Sequence, residues 1–253
     1  MGLLDGKVVI ITGGSSGIGK SIALTYAEAG ANVVVASRKQ ENLDKVAEEI
    51  RALGRESLAI STDVKIPDQV DNMVKQTVDQ FGRLDIMVNN AGKGIPTEPL
   101  DISVKEWNHV LALNLTGVFL GSMAAGKVMV EQKQGKIINI ASTAGVIGSP
   151  GMMHYSVAKA GVIMLTKNLA SSWAEHNINV NCIAPGFTLT DAIIKWGILK
   201  PEQYGDETPR LLSPPVPKNI ADLALFLASS ASDKITGELM IVRSHFAWDR
   251  GSQ

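Results

Sequence analysis

The chain has 253 residues, 45% of them hydrophobic and 19% charged, with 24 basic against 25 acidic side chains and a net charge of −1. This composition buries a substantial core and excludes a disordered chain, while the balanced charge leaves no general footprint for nucleic acid or an anionic membrane surface. Small molecules are the expected partners; nucleic acid and membrane are not.

From Met1 the chain enters strand-like KVVII (7–11) within a few residues, with no space for a charged region, an apolar segment and a cleavage site. Gly6 stands where a myristoylation pattern beginning at Gly2 needs Ser or Thr, and no apolar run approaches the length of a membrane span. The expected location is the cytoplasm. Six further β-branched runs follow: NVVVAS (32–37), SLAIS (57–61), LDIMVN (84–89), KIINIA (136–141), INVNCIA (178–184) and ELMIV (238–242). Each is nearly continuous in apolar residues, as in strands covered on both faces, and helical patterns alternate with them. The predicted fold is α/β, a doubly wound seven-stranded parallel sheet of Rossmann-like type forming a single domain over residues 1–253. Among the helices, IALTYAEAG stops at Gly30 and ENLDKVAEEIRALG at Gly54. Between 187 and 217 the alternation gives way to a segment containing Trp196 and Pro214-Pro215, too long for an ordinary connection and read as a lid over the site.

The first strand runs directly into TGGSSGIGKSIA (12–23), which places Gly13, Gly17 and Gly19, with Ser15, Ser16 and Ile18 between them, where a strand turns into a helix. Glycine lets the backbone turn tightly and approach a pyrophosphate, and the helix N-terminus stabilises the phosphate charge. A tight βα turn would use the same glycines; their place in the first βαβ unit favours the phosphate reading. The second strand ends in Ala36, Ser37, Arg38 and Lys39. A carboxylate at position 37 would bind ribose hydroxyls and repel a further phosphate, whereas a hydroxyl followed by Arg38 can bind that phosphate. NADP(H) is therefore the expected dinucleotide and NAD(H) the second candidate. Asp63-Val64 follows the third strand, where an Asp taken alone is usually a turn or cap residue, and NNAG (89–92) closes the fourth.

Asn114 lies in the helical stretch VLALNLTGVF, where a buried amide must find partners, commonly local backbone. Ser142 ends the strand KIINIAS, and HYSVAK places Tyr155 and Lys159 four residues apart, on one helix face. A free phenol titrates near ~10, so a phenolate at neutral pH needs about 3 units of depression, about 4 kcal/mol. The Lys159 ammonium can supply much of this, and the positive charge of an oxidised nicotinamide adds to it. The Ser142 hydroxyl can hold a reacting oxygen against the phenol. The sixth strand ends in PGFTLT, with Pro185, Gly186, Thr188 and Thr190.

The glycine spacing T-G-x-x-x-G-x-G, Asp63-Val64, NNAG and the set Asn114, Ser142, Tyr155 and Lys159 together resemble the short-chain dehydrogenase/reductase family, from Lys7 to about Val242. The resemblance implies a nicotinamide-dependent carbonyl reductase or alcohol dehydrogenase. Asp63 would meet the adenine amino group, Val64 would pack the adenine, and Asn90, with Ala91 and Gly92, would brace the sheet beside the cofactor. Tyr155 would be the acid/base, Lys159 would lower its pKa and bind ribose, Ser142 would orient the carbonyl, and Asn114 would hold a water relaying protons to Lys159. The 185–190 segment, with Thr188 and Thr190 as candidates, would hold the nicotinamide carboxamide. The helices at 104–132 and 155–174 match those by which relatives pair, so a homotetramer is expected, with a dimer next. The lid stretch AIIKWGIL (192–199) motivates a substrate with apolar bulk, a ketone or 3-oxoacyl group.

Two features depart from the family pattern. Arg243, Ser244 and His245 replace the usual Asp-Gly-Gly after the last strand, and LLSPPVP replaces an Arg-x-Gly before the last helix. They motivate an alternative, a dinucleotide-binding regulatory or scaffold protein without turnover. His109, His154, His176 and His245 are dispersed and lack metal-ligand spacing, so no metal is expected. His154 adjoins Tyr155, but neighbours on a helix do not share a face, and Lys93 is either a solvated loop residue or an attractor for an anionic substrate. Cys182 reads as a buried free thiol.

Overall fold

The computed structural model describes residues 2–244 apart from 196 and 206, so Trp196 and His245 lie outside the described residues. Seven strands form one parallel sheet: β1 (Val8–Thr12), β2 (Asn32–Ser37), β3 (Ser57–Ser61), β4 (Ile86–Asn89), β5 (Gly135–Ile140), β6 (Ile178–Pro185) and β7 (Leu239–Val242), in the order β3-β2-β1-β4-β5-β6-β7. The chain builds outward from β1 on one side and returns to β4 on the other. At that reversal the connections leave in opposite directions, which opens a crevice at the carboxyl ends of β1 and β4.

The helices are α1 (Gly17–Glu28), α2 (Gln40–Ala52), α3 (Pro67–Phe81), α4 (Val104–Leu111), α5 (Gly117–Gln132), α6 (Ala144–Ile147), α7 (Met153–Trp173), α8 (Asp191–Lys195) and α9 (Pro217–Ala228). Alternation along the strands feeds two cores. Val9, Ile11, Val33 and Val35 pack with Ile22 and Tyr26 of α1, Leu43 of α2 and Ile220 of α9 on one face. Ile10, Val34 and Met87 pack with Met73 of α3, Met129 of α5 and Leu169 of α7 on the other. Each such side chain contributes about 1.5–3 kcal/mol on burial, which explains why the strands read as unbroken apolar runs. Tyr26 is fully buried and donates its hydroxyl to Ala224 O at 2.7 Å, joining α1 to α9.

Helical backbone continues from Val104 to Gln132, and by length and composition this run is apolar enough to cross a membrane. The expectation that no apolar run approaches that length overlooked this stretch: between Leu111 and Val130 its one charged residue is Lys127, and the small and polar residues Asn114, Thr116, Gly117, Gly121 and Ser122 disguise the run. A π turn, Ala112–Thr116, joins α4 to α5 within it. Its Asn114, Gly117, Gly121 and Ser122 are buried inside the fold, as in a core helix.

Candidate active site

The glycine motif makes the turn between β1 and α1. Gly13 and Gly17 have φ of 67° and 53°, values that favour glycine. A Cβ on Gly19 would lie 2.3 Å from Gly13 O, and one on Gly13 would lie 2.8 Å from Asn90 Nδ2, so side chains are excluded. Ser16 caps α1 in an extended conformation with no side-chain cap hydrogen bond, and the first turn has no acidic residue. Its N–H groups and dipole therefore point positive charge at whatever sits above the loop, beside Ser15 and Ile18. Asn90 Nδ2 donates to Thr12 O at 3.0 Å, and the N–H groups of Asn90 and Ala91 donate to Thr12 Oγ1 at 3.0 and 3.1 Å. Thr12 was not singled out from the sequence, although it opens the glycine motif; its buried hydroxyl fastens the ends of β1 and β4.

At the end of β2 the Ser37 hydroxyl is buried and has no hydrogen-bond partner among the described residues. Such a group costs about 1–3 kcal/mol until it finds one. Beside the exposed Arg38, it and the glycine cradle fit the ribose and phosphates of a dinucleotide. Asp63 acts as a turn residue: its carboxylate accepts from Lys65 N at 3.1 Å and pairs with Lys65 Nζ at 3.4 Å. Val64 is buried against Gly117, where a Cβ would lie 2.8 Å from Val64 Cγ2.

Ser142 leaves β5 at its carboxyl end, and its Oγ accepts from Ala144 N at 3.2 Å. It hydrogen-bonds the Tyr155 phenol, which α7 presents from its first turn. One turn further on, Lys159 is 2% exposed, donates Nζ to Ile140 O at 2.8 Å and lies 5.7 Å from the Tyr155 ring centroid. Burial lowers the Lys159 pKa to about 8, opposed by its interaction with Cys182. Burial raises Tyr155 above its ordinary value, opposed by the Ser142 hydrogen bond. The expected depression of the phenol is thus not a property of the chain alone. Desolvation outweighs the Ser142 hydrogen bond, and the neighbouring Lys159 ammonium is turned towards the Ile140 carbonyl.

Asn114 sits in the π turn, fully buried. Its Nδ2 donates to Lys93 O and to Val110 O, both at 3.0 Å, while its Oδ1 accepts from Lys93 N at 3.0 Å. The amide therefore ties the segment after NNAG to the helix. Gly92 passes between the catalytic candidates: a Cβ there would lie 2.7 Å from Asn114 Oδ1 and 3.2 Å from Lys159 Nζ. Thr188 is buried with its hydroxyl on Gly186 O, and Thr190 Oγ1 accepts from Ile193 N at the start of α8. Thr190 also faces the glycine loop, with its Cγ2 3.6 Å from where a Cβ on Gly17 would stand. Pro185 ends β6 and Gly186 follows it, donating its N–H to Val242 O and packing on Arg243, one of the residues departing from the family pattern. The 187–217 segment is pinned where Leu189 N donates to Pro215 O at 2.9 Å, and it exposes Phe187, Ile194, Ile198, Leu211 and Leu212.

His154 is buried and turned to Glu106, 3.1 Å from Nε2 to Oε1. Sequence reasoning missed this pair, since nothing local joins residues 48 positions apart. No group of three or more His, Cys, Asp or Glu gathers as a metal site among the described residues.

A family model described as short chain dehydrogenase matches residues 7–197. A 3-oxoacyl-[acyl-carrier-protein] reductase of Synechocystis sp. is 46% identical over 192 residues, 76% of this chain and 78% of the relative. The 3-oxoacyl-[acyl-carrier-protein] reductase FabG of Staphylococcus aureus is 39% identical over 244 residues, 93% of this chain and 96% of the relative. Among solved structures, a short-chain type dehydrogenase/reductase from Mycobacterium marinum superposes with a TM-score of 0.89 at 38% identity, covering 97% of both chains.

Proposed function

Since the chain belongs to the short-chain dehydrogenase/reductase family and is an oxidoreductase, we propose that it uses NADP(H) to reduce the keto group of an apolar ketone or 3-oxoacyl-type substrate. The observation that carries this reading is the gathering of Ser142, Tyr155 and Lys159 at the carboxyl end of β5, beside a glycine cradle shaped for a dinucleotide. The dinucleotide, when bound, supplies the hydride. The residues proposed to hold it are the 13–19 loop, Ser37 and Arg38, Asp63 and Val64, Asn90 to Gly92, Tyr155 and Lys159, and Pro185, Gly186, Thr188 and Thr190.

Ser142 orients the substrate oxygen against Tyr155, whose phenol donates the proton that the oxygen gains on reduction. A phenol kept protonated by burial suits that direction. Lys159 then stabilises the phenolate, and the proton returns to Tyr155 by a relay past Lys159 and Asn114. The apolar side chains of the 187–217 segment, read as a lid, support a substrate with apolar bulk, as do the two reductases named for 3-oxoacyl substrates. We take the assembly to be a homotetramer and its location to be the cytoplasm, where the buried free thiol of Cys182 would stay reduced.

The test is Tyr155→Phe, assayed by loss of reduced-nicotinamide absorbance on a panel of 3-oxoacyl thioesters, cyclic ketones and small charged ketones. Turnover should vanish while NADP(H) binding persists. Near-normal activity in that variant would overturn the mechanism, and preference for the small charged ketones would overturn the substrate class.

A further inference from the structure

We propose that Thr97, Glu106 and His154 form a latch whose role is to position Tyr155 for proton transfer; the inference rests on the reading of Tyr155 as the proton donor. Three separate segments meet at one carboxylate oxygen. Glu106 Oε1, on α4, accepts the Thr97 hydroxyl from the 93–103 loop and faces His154 Nε2 at 3.1 Å from the first turn of α7. The loop is tied again by Thr97 N donating to Gly151 O at 2.7 Å, just before α7, and Glu106 N is itself held at 3.1 Å by the Ser103 hydroxyl that caps α4.

The first turn of α7 needs such a hold. Met152, its N-cap residue, makes no side-chain cap hydrogen bond, and the turn has no acidic residue to favour it through the helix dipole. His154 is 0% exposed, immediately precedes Tyr155, and its Nδ1 is buried without a partner among the described residues. The contact with Glu106 is therefore the polar tie that sets the orientation of the imidazole. The Thr97 hydrogen bond, with help from His154, keeps the Glu106 carboxyl below the usual carboxylate range, so it stays ionised and can only accept. His154 Nε2 therefore carries the hydrogen.

The same loop crosses the reacting residue. A Cβ on Gly94 would lie 2.0 Å from Met152 Cε and 3.7 Å from Tyr155 Cδ2, so Gly94 rests over both. A latch that fixes the loop on one side and the imidazole next to Tyr155 on the other fixes the phenol between them. Displacement of a reacting group by about 1 Å costs on the order of a hundredfold in rate.

The experiment compares Glu106→Ala, His154→Phe and Glu106→Gln. Positioning predicts that the first two lower kcat at least about tenfold with NADP(H) affinity and KM changed much less, because the loss falls on the transition state. Both hydrogen bonds meet the same Oε1, so the amide oxygen of Glu106→Gln can accept both and should restore most of the kcat lost in Glu106→Ala. The partly exposed Glu106 keeps the test available if His154→Phe fails to fold. Variants that lose thermal stability but keep wild-type kcat below their melting point would reduce the latch to a fold contact and overturn the proposal. A wild-type protein that turns over no carbonyl would instead count against the reading of function. The latch is then read by amide hydrogen exchange: faster exchange at Tyr155 and Ser156 in Glu106→Ala, with β1 and β2 unchanged, supports it, and unaltered exchange overturns it.

Discussion

At the scale of single residues, buried and half-buried polar groups carry predictions about which dinucleotide binds and how stability responds to pH. The hydroxyl of Ser37, left without a partner at the end of β2, stands next to the exposed guanidinium of Arg38. A hydrogen bond to a charged group contributes about 1.5–3 kcal/mol. Loss of Arg38 should therefore weaken NADP(H) binding about ten- to a hundredfold, at ~1.4 kcal/mol per decade. Arg38→Ala should have that effect in a fluorescence titration and leave NAD(H) affinity much less changed, while Ser37→Asp should tilt preference towards NAD(H). Undiminished NADP(H) affinity in Arg38→Ala would reject the assignment. Lys159 carries the second prediction. Its pKa falls from an ordinary 10.5 to about 8 on burial, so above pH 8 the unfolded chain binds more protons and stability rises with pH. Cys182 moves the other way, from 9 up to about 11, so above pH 9 its unfolded thiol loses a proton that the folded one keeps, and stability falls. The net rise is confined to pH 8–9 and amounts to about 1 kcal/mol at 1.36 kcal/mol per unit. Urea titrations of the cofactor-free protein should find it, Cys182→Ala should extend it towards pH 10, and Lys159→Met should abolish it. Above pH 10 the raised phenols of Tyr26 and Tyr155 add to the decline.

At the scale of elements, the strands were the most legible feature because burial on both faces leaves an unbroken apolar run. β2 and β3 fall on the residues read from sequence, and the others differ at their ends by one or two positions. Gly30 and Gly54 follow α1 and α2 with φ of 105° and 78°, the left-handed backbone that made them readable as stops. Most motif residues of the candidate site could be picked out for the same local reason, since they sit at a strand end or within one helical turn of another; Asn114, mid-helix, was picked out by its amide in an apolar run and by the family resemblance. The latch was not legible, because Thr97, Glu106 and His154 meet only through tertiary folding. The π turn was also invisible: one extra residue leaves the apolar periodicity on both sides intact, so a pattern count passes over it. Its consequence is specific. The turn carries Asn114, whose amide brackets Lys93 beside Gly92 and Lys159. Deleting Ala112 would let α4 and α5 join as regular α-helix and swing Asn114 round the helix axis relative to α4, away from Lys93. We expect this variant to keep its fold by circular dichroism and to lose at least about tenfold in kcat. Full activity would mean that the π turn is incidental to the site.

At the scale of the whole molecule, the outer surface of the helix that carries Tyr155 and Lys159 is unusually apolar. Met153, Val157, Ala160 and Met164 are exposed at spacings of four, three and four residues, which places them in one stripe along α7. Phe119 is exposed on α5, with Leu120 and Met123 half-buried near it in sequence. Single exposed apolar residues are ordinary, but a stripe along a helix suits a surface that a partner covers, and the homotetramer proposed above would use it. Small residues such as Ala160 and Gly161 would let a second helix approach closely, and a symmetric assembly uses the same patch on both partners. Light scattering at micromolar concentration should therefore report a tetramer or a dimer, and a monomeric wild type would reject both. Like charges placed in the stripe, as in Val157→Glu with Met164→Glu, should shift the mass towards the monomer, since the same patch meets itself across a symmetric interface. The same change bears on catalysis. One face of α7 holds Tyr155 and Lys159 against the sheet and the opposite face would rest on the partner subunit, so dissociation removes support from the helix whose first turn must stay in register with Ser142. The dissociated variant should keep its circular dichroism spectrum while activity per subunit falls. Undiminished activity in a verified monomer would separate assembly from chemistry.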